Sequence, residues 1–197
     1  MMSANRKILI INGHPDPQSF CLALADAYAE GAQEQDSVEV RSIDLSRLQF
    51  NPILQYGYRQ RTELEDGLKE AQELIRWADH LVFVYPTWWG AMPAILKGFI
   101  DRVFLPGFAF KYRENSPLWD KLLTGKTARL IVTMDTPAWY YRLVYWRAGH
   151  LVMKRNILKF CGIQPVRVTE ISPVKTSSAE QRTKWLSQVK KLGSSLR

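Results

Sequence analysis

Between His80 and Val103 the chain reads HLVFVYPTWWGAMPAILKGFIDRV, and this stretch limits the fold more than any other. The apolar run His80 to Tyr85 is the signature of a strand buried on both faces, as in a parallel sheet covered by helices. Pro86 stops it. Thr87, Trp88, Trp89 and Gly90 follow, with too many aromatics for an ordinary turn. Pro93 is expected at the first position of a helix, where no backbone N–H is needed. That helix lines up Ile95, Phe99 and Val103, with Ile100 beside them. A loop between the carboxyl end of a buried strand and a helix start is where open α/β sheets bind ligands. Two adjacent tryptophans beside a glycine suit a flat aromatic ligand. The plainer alternative makes both tryptophans core packing, and their pairing on a strand-to-helix loop favours the site.

The same alternation runs through the chain. Lys7 to Asn12 is a first strand, closed by Gly13 and followed by a helix from about Ser19 to Gln35 striped by Phe20, Leu24, Ala27, Tyr28 and Gly31. Ser37 to Asp44 is a second strand. Leu45 to Arg61 is a long irregular connection carrying Pro52, Tyr56 and Tyr58, a length expected of functional or subunit-contacting loops. Thr62 and Glu65 spell a capping box ahead of a helix striped by Leu64, Leu68, Ala71, Leu74, Ile75 and Ala78. After the opening unit comes a second long loop, Leu105 to Lys126, and a fourth strand, Thr127 to Thr133. The aromatic segment Met134 to Tyr141 follows, then a helix from about Gly149 to Cys161 capped by Gly162. A fifth strand, Val166 to Ile171, precedes a helix begun by Ser178 and striped by Trp185, Val189, Leu192 and Leu196. Five strands alternating with helices predict one doubly wound α/β domain spanning residues 1–197, with a parallel sheet and helices on both faces.

Three loops, after strands one, three and four, therefore meet at one sheet edge. Ser19 can offer its hydroxyl and backbone N–H to an anion at a helix start, and His14 can donate from its imidazole edge. Equally, Ser19 is a plain cap and His14 a turn residue. A dinucleotide fingerprint Gly-x-Gly-x-x-Gly is missing after the first strand, as is a phosphate-loop motif. His14, His80 and His150 are scattered, so no metal cluster is expected. Two distant cysteines, Cys21 and Cys161, give no disulfide framework and point to a reducing, cytoplasmic setting. The start of the chain reads as neither signal peptide nor anchor. A net charge of +8 is compatible with nucleic acid, anionic membranes or anionic small molecules. Its cations are spread out and no nucleic-acid-binding signature accompanies them, so a solvated basic surface that favours a phosphate-bearing cofactor is expected.

Gly13-His-Pro-x-x-x-Ser19-Phe20, Pro86-Thr-Trp-Trp-Gly90, the run from Pro93 to Phe104 and Gly107-Phe-Ala-Phe-Lys-Tyr112 resemble the flavodoxin-like NAD(P)H:quinone oxidoreductase family. The resemblance covers nearly the whole chain from Lys7 onward. It implies a flavodoxin-like five-stranded fold and a homodimer with active sites at its interface. It also implies a ping-pong hydride transfer from NAD(P)H through a flavin to a quinone or similar flat acceptor. Matched residue by residue, it puts His14, Ser19 and Phe20 at the phosphate and ribityl chain. Pro86, Thr87, Trp88, Trp89 and Gly90 lie along the ring, and Thr133, Met134, Asp135 and Thr136 at its polar edge. Many relatives have Thr-Thr-Gly-Gly at that edge, and here it reads Thr-Met-Asp-Thr. Tyr141 matches a tyrosine over the reacting centre; the histidine that partners it does not align, leaving His150 or Arg147 as substitutes. Val174, Lys175, Thr176 and Arg182 resemble the segment holding the adenosine half of FAD, which favours FAD, with FMN the alternative. Azo- or nitro-reduction, a flavodoxin-type electron carrier, and an ancillary subunit contacting a potassium-efflux membrane protein are the rival functions.

Overall fold

In the computed structural model, residues 5–60 and 62–195 are described. Seven residues of β1 (Arg6–Asn12) open the chain and lead to α1 (Phe20–Gln33), β2 (Val38–Asp44) and α2 (Asp66–Trp77). Next come β3 (His80–Pro86), α3 (Ala94–Val103) and a small hairpin, β4 (Phe110–Tyr112) with β5 (Trp119–Lys121). β6 (Thr127–Thr133), α4 (Ala138–Leu143), α5 (Ala148–Leu151), β7 (Val166–Ile171) and α6 (Ala179–Ser194) complete the chain. α5 continues without a break into wider π-helical turns over Val152–Lys159.

The five long strands form one all-parallel sheet in the order β2-β1-β3-β6-β7, which is the flavodoxin-like arrangement. Its direction of winding reverses between β1 and β3, and that switch point opens a crevice at the carboxyl ends of the strands. All seven residues of β3 are buried, as its unbroken apolar spelling requires. Alternate residues serve the two faces. Ile8, Ile10, Val82, Val84 and Ile131 meet α1 and α6 through Leu24, Tyr28, Trp185 and Val189. Leu9, Ile11, Leu81, Phe83 and Leu130 meet the opposite layer through Leu68, Ile75, Phe99, Val103 and Leu158. α1 and α6 touch backbone to backbone, because a Cβ on Gly31 would fall 1.9 Å from the Lys190 carbonyl oxygen.

Several expected boundaries move for identifiable reasons. Ser19 caps α1 as expected, its hydroxyl accepting the Leu22 N–H, and the helix runs to Gln33. Pro93 is the cap of α3 and not its first helical residue. The capping box at Thr62 does not form: α2 begins at Asp66 with Glu65 as its cap and no side-chain cap bond. The Glu65 carboxylate is drawn instead to the Arg102 guanidinium, 2.8 Å away, and to the Asn51 N–H. The connection from Leu105 to Lys126 is not a structureless loop, since β4 and β5 pair within it. Trp119 anchors this hairpin by stacking on Phe160 at 4.3 Å. Gly162, at φ +103°, closes the helical segment as expected, with the Ile163 N–H returning to the Leu158 oxygen. Ser178 caps α6 by accepting the Gln181 N–H. Arg61 and Leu196 lie outside the described residues.

Candidate functional site

The three special loops do converge. After β1, Gly13 donates its N–H to the Val84 oxygen on β3, so the first loop leaves the sheet beside the third. The His14 ring then meets Trp88 edge-on, with centroids 5.4 Å apart. After β3, the Thr87 N–H donates to the Thr133 oxygen at the end of β6. The Thr133 hydroxyl is 3.3 Å from Cys21 Sγ on α1, which ties the last loop back to the first helix.

At the first loop, the Asp16 N–H donates to His14 Nδ1 at 2.9 Å, which leaves the proton of the neutral ring on Nε2 as an outward donor. Burial pushes the imidazole below its ordinary value, so the neutral ring prevails near pH 7. Ser19 spends its own N–H on the Asp16 oxygen, while the N–H groups of Phe20 and Cys21 have no intrahelical acceptor at the start of α1. Oriented N–H donors, a helix dipole and an imidazole edge together suit a phosphate.

The second loop supplies flat apolar surface. Trp89 is fully exposed at 105% and sits at φ +51°, followed by Gly90 at φ +77°. Nothing lies within 4 Å of where a Gly90 Cβ would be, so the backbone here faces open space. Two left-handed residues in succession turn the Trp88–Trp89 edge outward. Pro86 ends β3 opposite Thr133 and is buried.

At the third loop Thr133 and Met134 are buried, and the Met134 side chain belongs to the core. Its backbone is bound at both ends, N–H to the Ile171 oxygen and oxygen to the Val174 N–H. Asp135 turns toward the segment after β7 and accepts the Lys175 N–H at 2.8 Å. Thr136 is half-buried beside it. Arg182 on α6 places its guanidinium 5.6 Å from the Phe20 ring centre and donates to the Ser177 hydroxyl and the Val174 oxygen. The residues matched to the adenosine segment therefore reach the phosphate loop.

Tyr141 and His150 are brought together, but inside the protein. Tyr141 is 1% exposed, and its hydroxyl donates to the Gly90 oxygen at 3.0 Å and accepts the Gly149 N–H at 3.1 Å. Burial raises the phenol above its ordinary value. The His150 ring is 4.9 Å from that of Tyr141, and its Nε2 lies 3.2 Å from a Glu170 carboxylate oxygen, out of line for a hydrogen bond. Burial lowers the imidazole more than Glu170 raises it. Arg147 Nε approaches the same oxygen at 2.9 Å. Glu170 and Gly149 belong to this arrangement and were not singled out from the sequence. Their contacts join segments far apart in the chain, and no local pattern announces them.

A helix start with N–H groups lacking intrahelical acceptors, an exposed tryptophan and the open backbone at Gly90 have the shape and chemistry that a flat ring with a phosphate tail would need. Comparison with known proteins gives the family. Residues 6–192 match the model of a family described as having a flavodoxin-like fold. The chain is 35% identical over 154 residues to the ribosyldihydronicotinamide dehydrogenase-like protein traD of Penicillium crustosum, covering 65% of this chain and 57% of that protein. To the human ribosyldihydronicotinamide dehydrogenase [quinone] it is 30% identical over 213 residues, covering 93% and 88%. The solved structure of Smu.1420 from Streptococcus mutans superposes with a TM-score of 0.82 at 34% identity, covering 96% of this chain and 99% of that one.

Proposed function

The chain belongs to the flavodoxin-like NAD(P)H:quinone oxidoreductase family, a family of oxidoreductases, and from that premise we propose that it reduces quinones or similar flat acceptors with NAD(P)H. The observation that carries this reading is the meeting of the His14 loop, the Trp88–Trp89 shelf and the Thr133 edge at the switch point of the sheet.

A bound flavin, FAD with FMN as the alternative, supplies the hydride acceptance and donation. The chain supplies position and charge. His14 Nε2 and the first N–H groups of α1 would hold the phosphate, with Ser19 as cap and Phe20 beside it. Arg182, held over Phe20, would be the cation available to a second phosphate, which favours the longer FAD. Pro86, Thr87, Trp88, Trp89 and Gly90 would border the ring, and Trp89 would offer donor and acceptor one shared wall, the arrangement that a ping-pong reaction needs. Thr133, Met134, Asp135 and Thr136 would form the polar edge; the Met134 N–H and carbonyl are spent on Ile171 and Val174, so any donor to the ring there would come from the 135–136 backbone or the Thr136 hydroxyl. Tyr141 fixes Gly90, and with it the height of the shelf. His150, buried against Glu170, packs on Tyr141 and helps to keep its ring in place. The open side of the shelf is completed by a second copy of the chain.

The absorption spectrum of the purified protein tests the reading. Flavin bands that bleach under anaerobic NADPH or NADH and return with a quinone are expected, and heat release identifies the flavin. A colourless protein that takes up neither flavin overturns it. A stable one-electron form on titration points instead to an electron carrier.

A further inference from the structure

From Thr136 to Thr169 there is no aspartate or glutamate, in a chain that has 19 of them among 197 residues. Over the same span lie Arg142, Lys154, Arg155 and Lys159, all exposed and none in an ion pair among the described residues. Two other cations of the span stand apart: Arg147 pairs with Glu170, and Arg167 shares the α1–α6 face of the sheet with Ile171. Protein surfaces ordinarily intersperse both signs of charge. Here aromatic and aliphatic side chains stand where the acids are missing.

One continuous segment carries both. α4, the turn after it and α5 are joined by backbone hydrogen bonds, Ala148 N–H to the Tyr145 oxygen and Leu151 N–H to the Arg147 oxygen. In α5 and its π-helical continuation Met153 and Leu158 turn to the core, which leaves Leu151, Val152, Lys154, Arg155 and Lys159 on the outer side. On α4 the exposed side chains divide between two stripes, Trp139 with Leu143 and Tyr140 with Val144. The Tyr140 ring meets that of Tyr145 with centroids 5.7 Å apart, so the second stripe runs on into the turn. Tyrosine rings and aliphatic side chains edged by unpaired cations make up a surface suited to a bilayer's headgroup layer. Tyrosines take the boundary, and long basic side chains reach phosphates over their own apolar stems. A second copy suits this rim poorly, since a twofold contact would set the four cations against the same four. No described helix is long and apolar enough to cross a membrane, so the contact is with its surface.

We propose that the outer face of residues 140–159 docks on an anionic lipid surface. Tyr140, Val144, Tyr145, Leu151 and Val152 rest at the headgroup boundary, and Arg142, Lys154, Arg155 and Lys159 meet lipid phosphates. α4 also supports the aromatic shelf, because the Tyr141 hydroxyl donates to the Gly90 oxygen. Resting on the oxidoreductase reading above, docking brings that shelf to the layer in which an apolar flat acceptor dissolves.

Binding is measured by co-sedimentation of the protein as isolated with vesicles of phosphatidylcholine containing phosphatidylglycerol, and with vesicles of phosphatidylcholine alone. Two variants with the same change in net charge are run beside it: Lys154→Glu with Arg155→Glu on the proposed face, and Lys184→Glu with Lys191→Glu on α6, across the sheet. All four side chains are exposed, and unchanged melting temperatures verify the fold. The native protein is expected to bind the anionic vesicles and to leave them as salt rises. At about 1 kcal/mol for each cation near such a surface, the first variant is expected to bind roughly thirtyfold more weakly, and the α6 variant less than about threefold. Lack of preference for anionic vesicles overturns the proposal. So does equal weakening of both variants, which leaves net charge alone as the cause. A single-stranded oligonucleotide that binds through Lys154 and Arg155 while vesicles do not also overturns it, and gives the face to nucleic acid. Vesicle binding needs neither flavin nor turnover, so an inactive, flavin-free protein that docks keeps the lipid surface and loses only the oxidoreductase.

Discussion

Tyr141 and Gly149 hold the aromatic shelf from below. A Cβ on Gly149 would fall 2.3 Å from the Gly90 oxygen and 2.7 Å from the Tyr141 hydroxyl, so the three residues admit no extra atom. Tyr141→Phe leaves the Gly90 carbonyl and the Gly149 N–H without a partner, a cost of about 1–3 kcal/mol. Urea denaturation is expected to show that loss, together with a raised KM for the acceptor as Trp89 shifts. A full-stability Phe variant with reduced kcat alone would return Tyr141 to a direct role at the reacting centre. Gly149→Ala is expected to cost about 1–3 kcal/mol by overpacking. A second residue, His80, couples the fold to pH. It is 4% exposed beside Thr127, and burial, reinforced by Arg6, Arg129 and Arg167, pushes its imidazole down from 6.5 to about 3. Between those values the unfolded chain binds a proton that the folded chain refuses, so stability is full above pH 6.5 and falls as the pH drops toward 3. At pH 4.5, two units below the unfolded value, the loss amounts to about 2–3 kcal/mol. His80→Asn is expected to lose that much less than the native protein between pH 7.5 and 4.5, and parallel pH profiles would refute the assignment.

Among the elements, α3 does the most to join distant pieces. Arg102, 2% exposed on α3, donates to the Asn51 and Glu63 carbonyls and pairs with Glu65, so one guanidinium fastens the 45–61 connection and the start of α2 to the helix. Arg102→Met is expected to cost about 2–4 kcal/mol by stranding two carbonyls and a half-exposed carboxylate. Hydrogen exchange is expected to quicken in residues 49–65 first, and uniform exchange across the fold would contradict the fastening role. This pull on Glu65 is also why a correctly spelled capping box fails: the local signal was real, and a residue 37 positions away outcompeted it. Strands buried on both faces were legible because their spelling is solidly apolar, and their helices because one face is striped. The hairpin at Phe110–Lys121 was not, since three-residue strands carry no periodicity and depend on Trp119 stacking on Phe160. The loops of the site could be read because each follows a strand end. Gly149 and Glu170 could not, because their partners come from elsewhere in the chain.

For the whole molecule, charge and apolar surface oppose each other. The chain carries +8, which drives two copies apart, yet around the shelf Trp89, Trp139, Leu143 and Trp146 are all well exposed. A patch of this kind marks an interaction surface. Trp146 and Arg147 also both stand at φ +52°, a conformation that costs a non-glycine residue about 1–2 kcal/mol and persists where surroundings hold it. A second copy laid on the 139–146 segment would cover the tryptophans, fix that backbone and wall the open side of each shelf. Sedimentation velocity is therefore expected to give a dimer that tightens as salt rises, because screening weakens the repulsion while leaving apolar burial intact. Trp146→Glu is expected to yield monomers that retain the phosphate-loop contacts to the flavin and so stay yellow, but turn over slowly for want of the second wall. A native protein that sediments as a monomer with full turnover would place the complete site within one chain and leave the exposed tryptophans to another partner.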